Sequence, residues 1–363
     1  MNKNTIVQFN FLFEYITFFI AALIISLIIN KLILRFAKNL GIRNKNDVTV
    51  RWSNASKPSL GGISLYFTFI ISVLIYASVS STENIFNQIE FIGLIAAATL
   101  AFGIGVADDA YNTKPLLKLI GQISCGLIFV FSNNTVDVFH QPIIDGLITV
   151  IWVVAVMNSL NMLDNMDGIT GTVSFFILTT CFVVLAMIND PNNLLWMFLI
   201  IAEVGALLGF LMYNIHPAKM FMGDTGSQFI ALFISFFGIK ALWNLPAIYE
   251  VPSWTSLFLV LTAFTPTVAD TLTVVINRRK RGDSIMLGGK DHTTHHLVYR
   301  GFSDFKVWLI FLLISIFSFG YAICLSYFLI IGKYWIAFFG LLFFLVIFIP
   351  LYRNTLKYHP PKG

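Results

Sequence analysis

Charge is what this sequence has least of. Lys, Arg, Asp and Glu together make up 11% of its 363 residues, where a soluble domain carries roughly a quarter. That scarcity excludes an ordinary water-soluble fold. Cysteine is nearly missing as well. Cys125, Cys181 and Cys324 all fall in apolar segments, with neither metal-ligand spacing nor a disulfide framework, and read as small buried hydrophobes. There is no soluble domain, no low-complexity linker and no clear internal repeat. The GIG at 103–105 stands in no βαβ context, so it marks close helix packing rather than a nucleotide loop. The first apolar segment, from about Phe11 to Leu34, is too long for a signal-peptide core and lacks a small-residue cleavage site. A retained helix is expected there.

What remains is apolar: 57% of residues are hydrophobic, and the mean hydropathy is +0.82. A bilayer-spanning helix needs roughly 17 to 25 mostly apolar residues. About eleven such segments begin near Phe11, Gly61, Phe91, Leu116, Ile143, Gly171, Leu194, Ser227, Trp254, Val307 and Tyr334. The expected fold is therefore all-α, a polytopic integral membrane protein with one transmembrane domain over residues 1–363. Its many phenylalanines are expected to face lipid.

The basic residues are unevenly spread. Arg35, Lys38, Arg43, Lys45, Arg51 and Lys57 follow the first segment, and Arg278, Arg279, Lys280, Arg281, Lys290, Arg300 and Lys306 follow the ninth. Arg353, Lys357 and Lys362 end the chain, whereas SSTENIFNQIE and NNTVDVFHQ hold no Lys or Arg. With eleven spans, roughly 20 of the 23 basic residues share one face, which the positive-inside rule makes cytoplasmic. The N-terminus then lies outside and the C-terminus inside. The +5 net charge is a topology signal, with anionic headgroups of membrane lipids as partners, and gives no reason to expect nucleic acid.

The few carboxylates gather on that same face. Asp108 and Asp109 end the third span; Asn158, Asn161, Asp164 and Asp167 end the fifth. YNIHPAKMFMGDTGS, with Asn214, Lys219 and Asp224, follows the seventh, and Asp270 leads into NRRKRGDSIMLGGKDHTTHH after the ninth. Any one cluster could simply cap a helix. A carboxylate at bilayer depth, however, costs about 2.5 to 3.5 kcal/mol on insertion scales, and four clusters on one face imply a shared site. Carboxylate and amide oxygens suit Mg²⁺ or Mn²⁺ rather than Zn²⁺. Basic residues beside them would meet phosphate, and the combination describes phosphoryl transfer at the lipid boundary.

In order along the chain, DDAYNTKPLLK, NSLNMLDNMDGITG, YNIHPAKMFMGDTGS and HTTHHL, with PSLGGIS and ADTLTVVINRRKRG, resemble the polyprenyl-phosphate N-acetylhexosamine-1-phosphate transferase superfamily, glycosyltransferase family 4. The resemblance covers roughly residues 50 to 300. It implies transfer of a sugar-1-phosphate from a UDP-sugar to a polyprenyl phosphate, with Mg²⁺ (or Mn²⁺) and release of UMP. The histidines are split as His292, His295 and His296, as in the branch that starts O-antigen, enterobacterial common antigen or teichoic acid from UDP-N-acetylglucosamine. Phospho-N-acetylmuramoyl-pentapeptide transferases carry three in a row. Whether the chain pairs as a homodimer is left open.

Residue by residue, the resemblance implies Asp108 and Asp109 at the acceptor phosphate, with Asp108 the favoured base, and Lys118 on the diphosphate. It implies Asn161 and Asp224 as magnesium ligands. Asp164, Asp167, Asn214 and Phe221 would surround the uridine, Phe221 by stacking, with Asn158 a further substrate-binding residue. His292, His295, His296, Arg278 and Arg281 would hold phosphate or sugar. Asn165 departs from the usual glycine, and Lys57 before Pro58 is unusual. Direct attack by the lipid phosphate is favoured over an aspartyl-phosphate route, because a phosphate monoester with a second pKa of about 6 is already ionised. A secondary transporter is the rival class, but its carboxylates would lie near the bilayer midplane in repeated, broken helices. Mid-span Glu203 is a candidate for function by default.

Overall fold

A computed structural model describes residues 3–39, 57–79, 85–285 and 288–360. Arg43, Lys45 and Arg51 of the first basic connection lie outside the described residues. The helices are α1 (Lys3–Asn39), α2 (Gly61–Val79), α3 (Ile89–Tyr111), α4 (Pro115–Phe131), α5 (Pro142–Leu163), α6 (Ile169–Ile188), α7 (Leu194–Asn214), α8 (Gly223–Gly238), α9 (Leu245–Ile248), α10 (Thr255–Ala263), α11 (Thr265–Arg281), α12 (Thr293–Tyr299), α13 (Asp304–Ile330) and α14 (Phe338–Lys357). No strand occurs among the described residues.

Every expected apolar segment is helical, and the eleven segments sort into nine full-length stretches, one bent pair and one shorter helix. Among the described residues nine helical stretches are long and apolar enough to cross a membrane, or ten if a bent pair is one span. The seventeen-residue α4 is shorter than these. The ninth segment is not one straight rod. It breaks at Phe264 into α10 and α11, which meet at 90°. Pro266 stands in the first turn of α11, where its missing N–H is tolerated but its ring blocks continuation of a preceding helix.

The core is a pair of helices sheathed by the others. The most apolar windows of α7 and of the stretch from α8 through α9 are 83% buried, against 17% for α1 and 22% for α14. Helix α8 is packed by α2, α3, α5 and α6, and α7 by α1, α2 and α6. The expectation of lipid-facing phenylalanines is corrected here. Phe229, Phe233, Phe236 and Phe237 of α8 are fully buried, as are Phe69, Phe91 and Phe210. Rings four residues apart pack along the helix, Phe233 against Phe237 with centroids 4.8 Å apart and planes tilted by 59°, so they fill the interior at the spacing that α-helical geometry dictates.

Small residues bring the start of α2 onto the start of α8. Gly61 and Gly62 N–H groups donate to Phe221 and Met222 carbonyls at 3.0 Å, and Phe221 N–H donates to Pro58 O. A Cβ at Gly62 would strike the Gly226 backbone. Of the GIG pair, Gly105 packs on the Asp224 and Thr225 backbone as expected, whereas Gly103 has nothing within 4 Å. The C-terminal ends of α3, α5 and α7 and the N-terminal ends of α4, α6 and α8 thereby meet at one end of the bundle.

Candidate active site

The centre of that end is the ammonium of Lys118. Asn112 takes a left-handed conformation at the end of α3, the chain reverses, and Pro115 opens α4, placing Lys118 one turn in. Its Nζ lies 2.9 Å from Asp108 Oδ2, 2.9 Å from Asp224 Oδ1 and 3.2 Å from Asn161 Oδ1. Asp108 turns its other oxygen to Thr113, accepting from the backbone N–H at 2.9 Å and the hydroxyl at 2.5 Å. Asn161 donates to Asp224 and, at 2.8 Å, to Ser227 Oγ. Four residues separated by up to 116 positions in sequence are thus drawn to one point.

One helical turn deeper lies a second layer made of amides alone. Gln122, four residues beyond Lys118, donates to Gln228 Oε1 at 3.0 Å, and Asn158 donates to Gln122 Oε1 at 2.7 Å. Gln228 follows Asp224 by the same four residues. Asn158, expected to bind substrate, lies in this layer. Gln122, Gln228, Thr113 and Ser227 were not singled out from sequence; the i, i+4 echo of Lys118 and Asp224 is the signal that could have found the two glutamines.

Asp109 faces a different way from its neighbour. It accepts from the backbone N–H groups of Asp224 and Thr225, at 3.0 and 2.9 Å, and from the Thr225 hydroxyl at 2.6 Å. These are orphan donors at the start of α8, so Asp109 acts as an N-cap supplied by another helix. It fixes where Asp224 stands.

The 164–168 loop and the segment before α8 form the flank. Asp167 Oδ2 accepts from Ala218 N–H at 3.0 Å, meets His216 at 3.2 Å and pairs with Lys57 at 3.5 Å. Lys57 Nζ also lies over the Phe221 ring, 5.2 Å from its centroid, which gives this unusual lysine a place in the site. Asn214 is buried and ties the loops together, accepting from Gly168 N–H at 3.1 Å and donating to Met220 O at 2.9 Å. Burial, then the neighbouring carboxylates of Asp224, Asp109 and Asp167, push Asp164 up to about 7. Crowded carboxylates of this kind ask for a cation.

The residues of α11 and α12 form an adjoining cluster rather than part of the Lys118 group. His292 Nδ1 and Asp270 Oδ2 are 2.8 Å apart, and Asp270 also accepts from Thr293 N–H and its hydroxyl. His295 is buried, and that burial, followed by the nearby His292, pushes it down to about 3. His296 engages the carbonyl of Tyr358, and burial lowers its pKa as well. Arg278 grips Asp291 with two nitrogens at 2.9 and 2.7 Å and donates to Ile285 O at 3.0 Å; Arg281 bridges Asp291 and Asp283. Burial opposes ionisation of Asp291, but the two guanidinium groups hold it well below the usual carboxylate range. Both arginines therefore brace the loop before α12. Asn165, the departure noted above, links this cluster to the 164–168 loop: its carboxamide oxygen accepts from Thr294 Oγ1 at 2.7 Å.

Among the described residues no three His, Cys, Asp or Glu side chains converge as a metal cluster. The oxygens of Asp108, Asn161 and Asp224 converge instead on an ammonium, which stands in for a cation. All three are hard oxygen donors, the set that suits Mg²⁺, an ion held by one or two carboxylates and completed by substrate phosphates. The residues present fit such an ion.

An all-helical membrane protein with carboxylates, amides, a lysine and histidines at one end of its bundle has the make-up of a membrane phosphotransferase. The comparisons agree. Residues 91–242 match the model of glycosyl transferase family 4, a stretch that runs from α3 past the end of α8 and includes Asp108, Lys118, Asn161 and Asp224. It is 26% identical over 343 residues to a Bacillus subtilis (strain 168) protein named "Probable undecaprenyl-phosphate N-acetylglucosaminyl 1-phosphate transferase", covering 92% of this chain and 89% of the relative. A Mycolicibacterium smegmatis decaprenyl-phosphate N-acetylglucosaminephosphotransferase is 29% identical, over 73% of this chain and 71% of its own. A Thermoanaerobacter phospho-N-acetylmuramoyl-pentapeptide-transferase is 33% identical, but over 47% of this chain and 56% of its own.

Proposed function

We infer that this protein transfers N-acetylglucosamine-1-phosphate from UDP-N-acetylglucosamine to a polyprenyl phosphate, releasing UMP and forming the first lipid-linked intermediate of a cell-envelope glycan. The observation that carries this reading is the Lys118 ammonium held by Asp108, Asn161 and Asp224 inside a family 4 region. The likeness to N-acetylglucosamine transferases along most of the chain supports the choice of sugar. The uneven spread of basic residues supports a site at the cytoplasmic face, with the N-terminus outside and the C-terminus inside.

In the reaction, an oxygen of the lipid phosphate forms a bond to the sugar-bearing phosphorus of the UDP-sugar. The bond from that phosphorus to the bridging oxygen breaks, and UMP leaves with that oxygen. Asp108, fixed through Thr113, orients and desolvates the acceptor phosphate. Lys118 donates to diphosphate oxygens as charge develops. Asn161 and Asp224 would hold Mg²⁺, which when bound neutralises diphosphate charge. Asp167, Asn214 and Phe221 shape the uridine side, and Asp270 orients His292 so that its Nε2 can meet a phosphate or sugar oxygen.

The test is UMP release by purified protein given polyprenyl phosphate and a panel of UDP-sugars, with UDP-N-acetylmuramoyl-pentapeptide included. Turnover with UDP-N-acetylglucosamine, abolished by chelation and lowered at least about 100-fold by Asp224→Asn, is expected. Turnover with the pentapeptide donor alone would overturn the choice of sugar, and no UMP from any donor would overturn the reaction.

A further inference from the structure

The end of α14 holds a second site, away from the Lys118 cluster. A cavity of about 410 Å³ is lined by Arg300, Arg353, Asn354, Lys357 and Tyr358, with Leu356 and Pro350 at its edge. Three of these side chains are cations, none is acidic, and Arg353 and Lys357 stand one helical turn apart on α14. Arg300 arrives from the end of α12, its guanidinium laid over the Tyr358 and Phe302 rings at 5.6 and 5.5 Å. Basic residues at a helix C-terminus, on the face that concentrates positive charge, need no ligand to explain them. Asn354 does. It is 6% exposed, and neither its carboxamide oxygen nor its nitrogen meets a hydrogen-bond partner among the described residues. A buried amide left without partners beside a cationic cavity is a donor and acceptor prepared for something else.

Position identifies the chemistry. Leu356, Ile349 and Val346 along the same helix are 52%, 45% and 62% exposed, an apolar stripe that in a membrane protein meets acyl chains. The cavity opens at the end of that stripe, where headgroups lie. We propose that this cavity binds the phosphate group of a membrane lipid, with Arg300, Arg353 and Lys357 around its oxygens, Asn354 beneath them, and the acyl or prenyl chain along α14. The site also communicates with the histidine motif: Tyr358, which lines it, offers its carbonyl to His296. A bound headgroup would fix the end of α14 and through it His296.

Native mass spectrometry of the full-length protein, extracted from nanodiscs of phosphatidylcholine with or without phosphatidylglycerol and polyprenyl phosphate, tests this directly. The wild type is expected to retain one phosphate-bearing lipid through delipidation. The Arg353→Gln/Lys357→Gln variant is expected to retain it at least tenfold less, with unchanged circular dichroism. Asn354→Leu, which leaves every charge in place, is expected to weaken retention as well. Retained phosphatidylglycerol assigns the site to bulk anionic lipid, and retained polyprenyl phosphate assigns it to an acceptor waiting beside the catalytic centre. Equal retention by wild type and both variants would overturn the proposal, as would displacement by millimolar inorganic phosphate with no lipid bound in its place. Retention is read without turnover, so failure of this site and failure of the transferase reading are separable.

Discussion

Lys118 occupies the position that the proposed metal ion would share. Its removal should separate two effects that are otherwise confounded. In Lys118→Met the oxygens of Asp108, Asn161 and Asp224 lose their built-in cation, so Mn²⁺ binding without substrate should tighten, measured by electron paramagnetic resonance, while UMP release falls about 100-fold. Weaker Mn²⁺ binding would show that lysine and metal use different oxygens. His295 gives a pH signature. Its pKa is pushed down to about 3 in the fold against about 6.5 unfolded, so the unfolded chain binds more protons between those values. Stability from keeping this imidazole neutral is full above about pH 6.5 and is lost as pH falls towards 3. His295→Gln should flatten the melting temperature of the detergent-solubilised protein across that window; an unchanged slope would place the acid sensitivity elsewhere. At this scale the sequence was partly legible. Asp108 and Asp224 stood out because a carboxylate is costly in an apolar chain, and Asn161 because it lies in a cluster of such residues, whereas Gln122, Gln228 and Thr225 look like ordinary helix residues until the packing places them. The same packing shows that Asp109 caps α8, a contact the sequence did not reveal.

Between elements, the site depends on how closely α2 and α8 approach. Gly62→Ala places a methyl group against the Gly226 backbone and should lower stability by about 1–3 kcal/mol, moving Asp224 with the start of α8 and lowering turnover. Gly103→Ala meets nothing within 4 Å and should change the melting temperature and UMP release little. A thermal-shift comparison of the two variants checks both, and equal melting temperatures would refute the packing argument. Helix positions were readable from hydropathy because each apolar run ends in polar or turn residues. The 90° break between α10 and α11 was not, since a proline in an apolar run is compatible with a mild kink, a full bend or a fresh start.

Across the whole molecule, hydropathy distinguishes membrane from water but not the inside of the bundle from its rim. Lipid tails are as apolar as a phenylalanine-rich interior, which is why the buried rings of α8 were taken for lipid-facing bulk. Glu203 shows the same blindness in reverse. It is 1% exposed and neither carboxyl oxygen meets a partner among the described residues, so Glu203→Met should leave UMP release unchanged and raise thermal stability, because an unpaired buried polar group costs about 1–3 kcal/mol. A loss of turnover in that variant would make Glu203 a functional residue after all.

The arrangement of the bundle also bears on how the chain is made. Helix α8 has more polar groups and less contact with lipid than most of its neighbours, so on its own it is a poor guest for a bilayer. The helices that chiefly enclose it, α2, α3, α5 and α6, all precede it in the chain. When a ribosome delivers α8, its partners have already been synthesised, and Asp224 and Gln228 can pass from the insertion machinery to Lys118 and Gln122 without lodging in hydrocarbon. The order of synthesis is thus also an order of assembly, with the costliest helix inserted into a socket built before it.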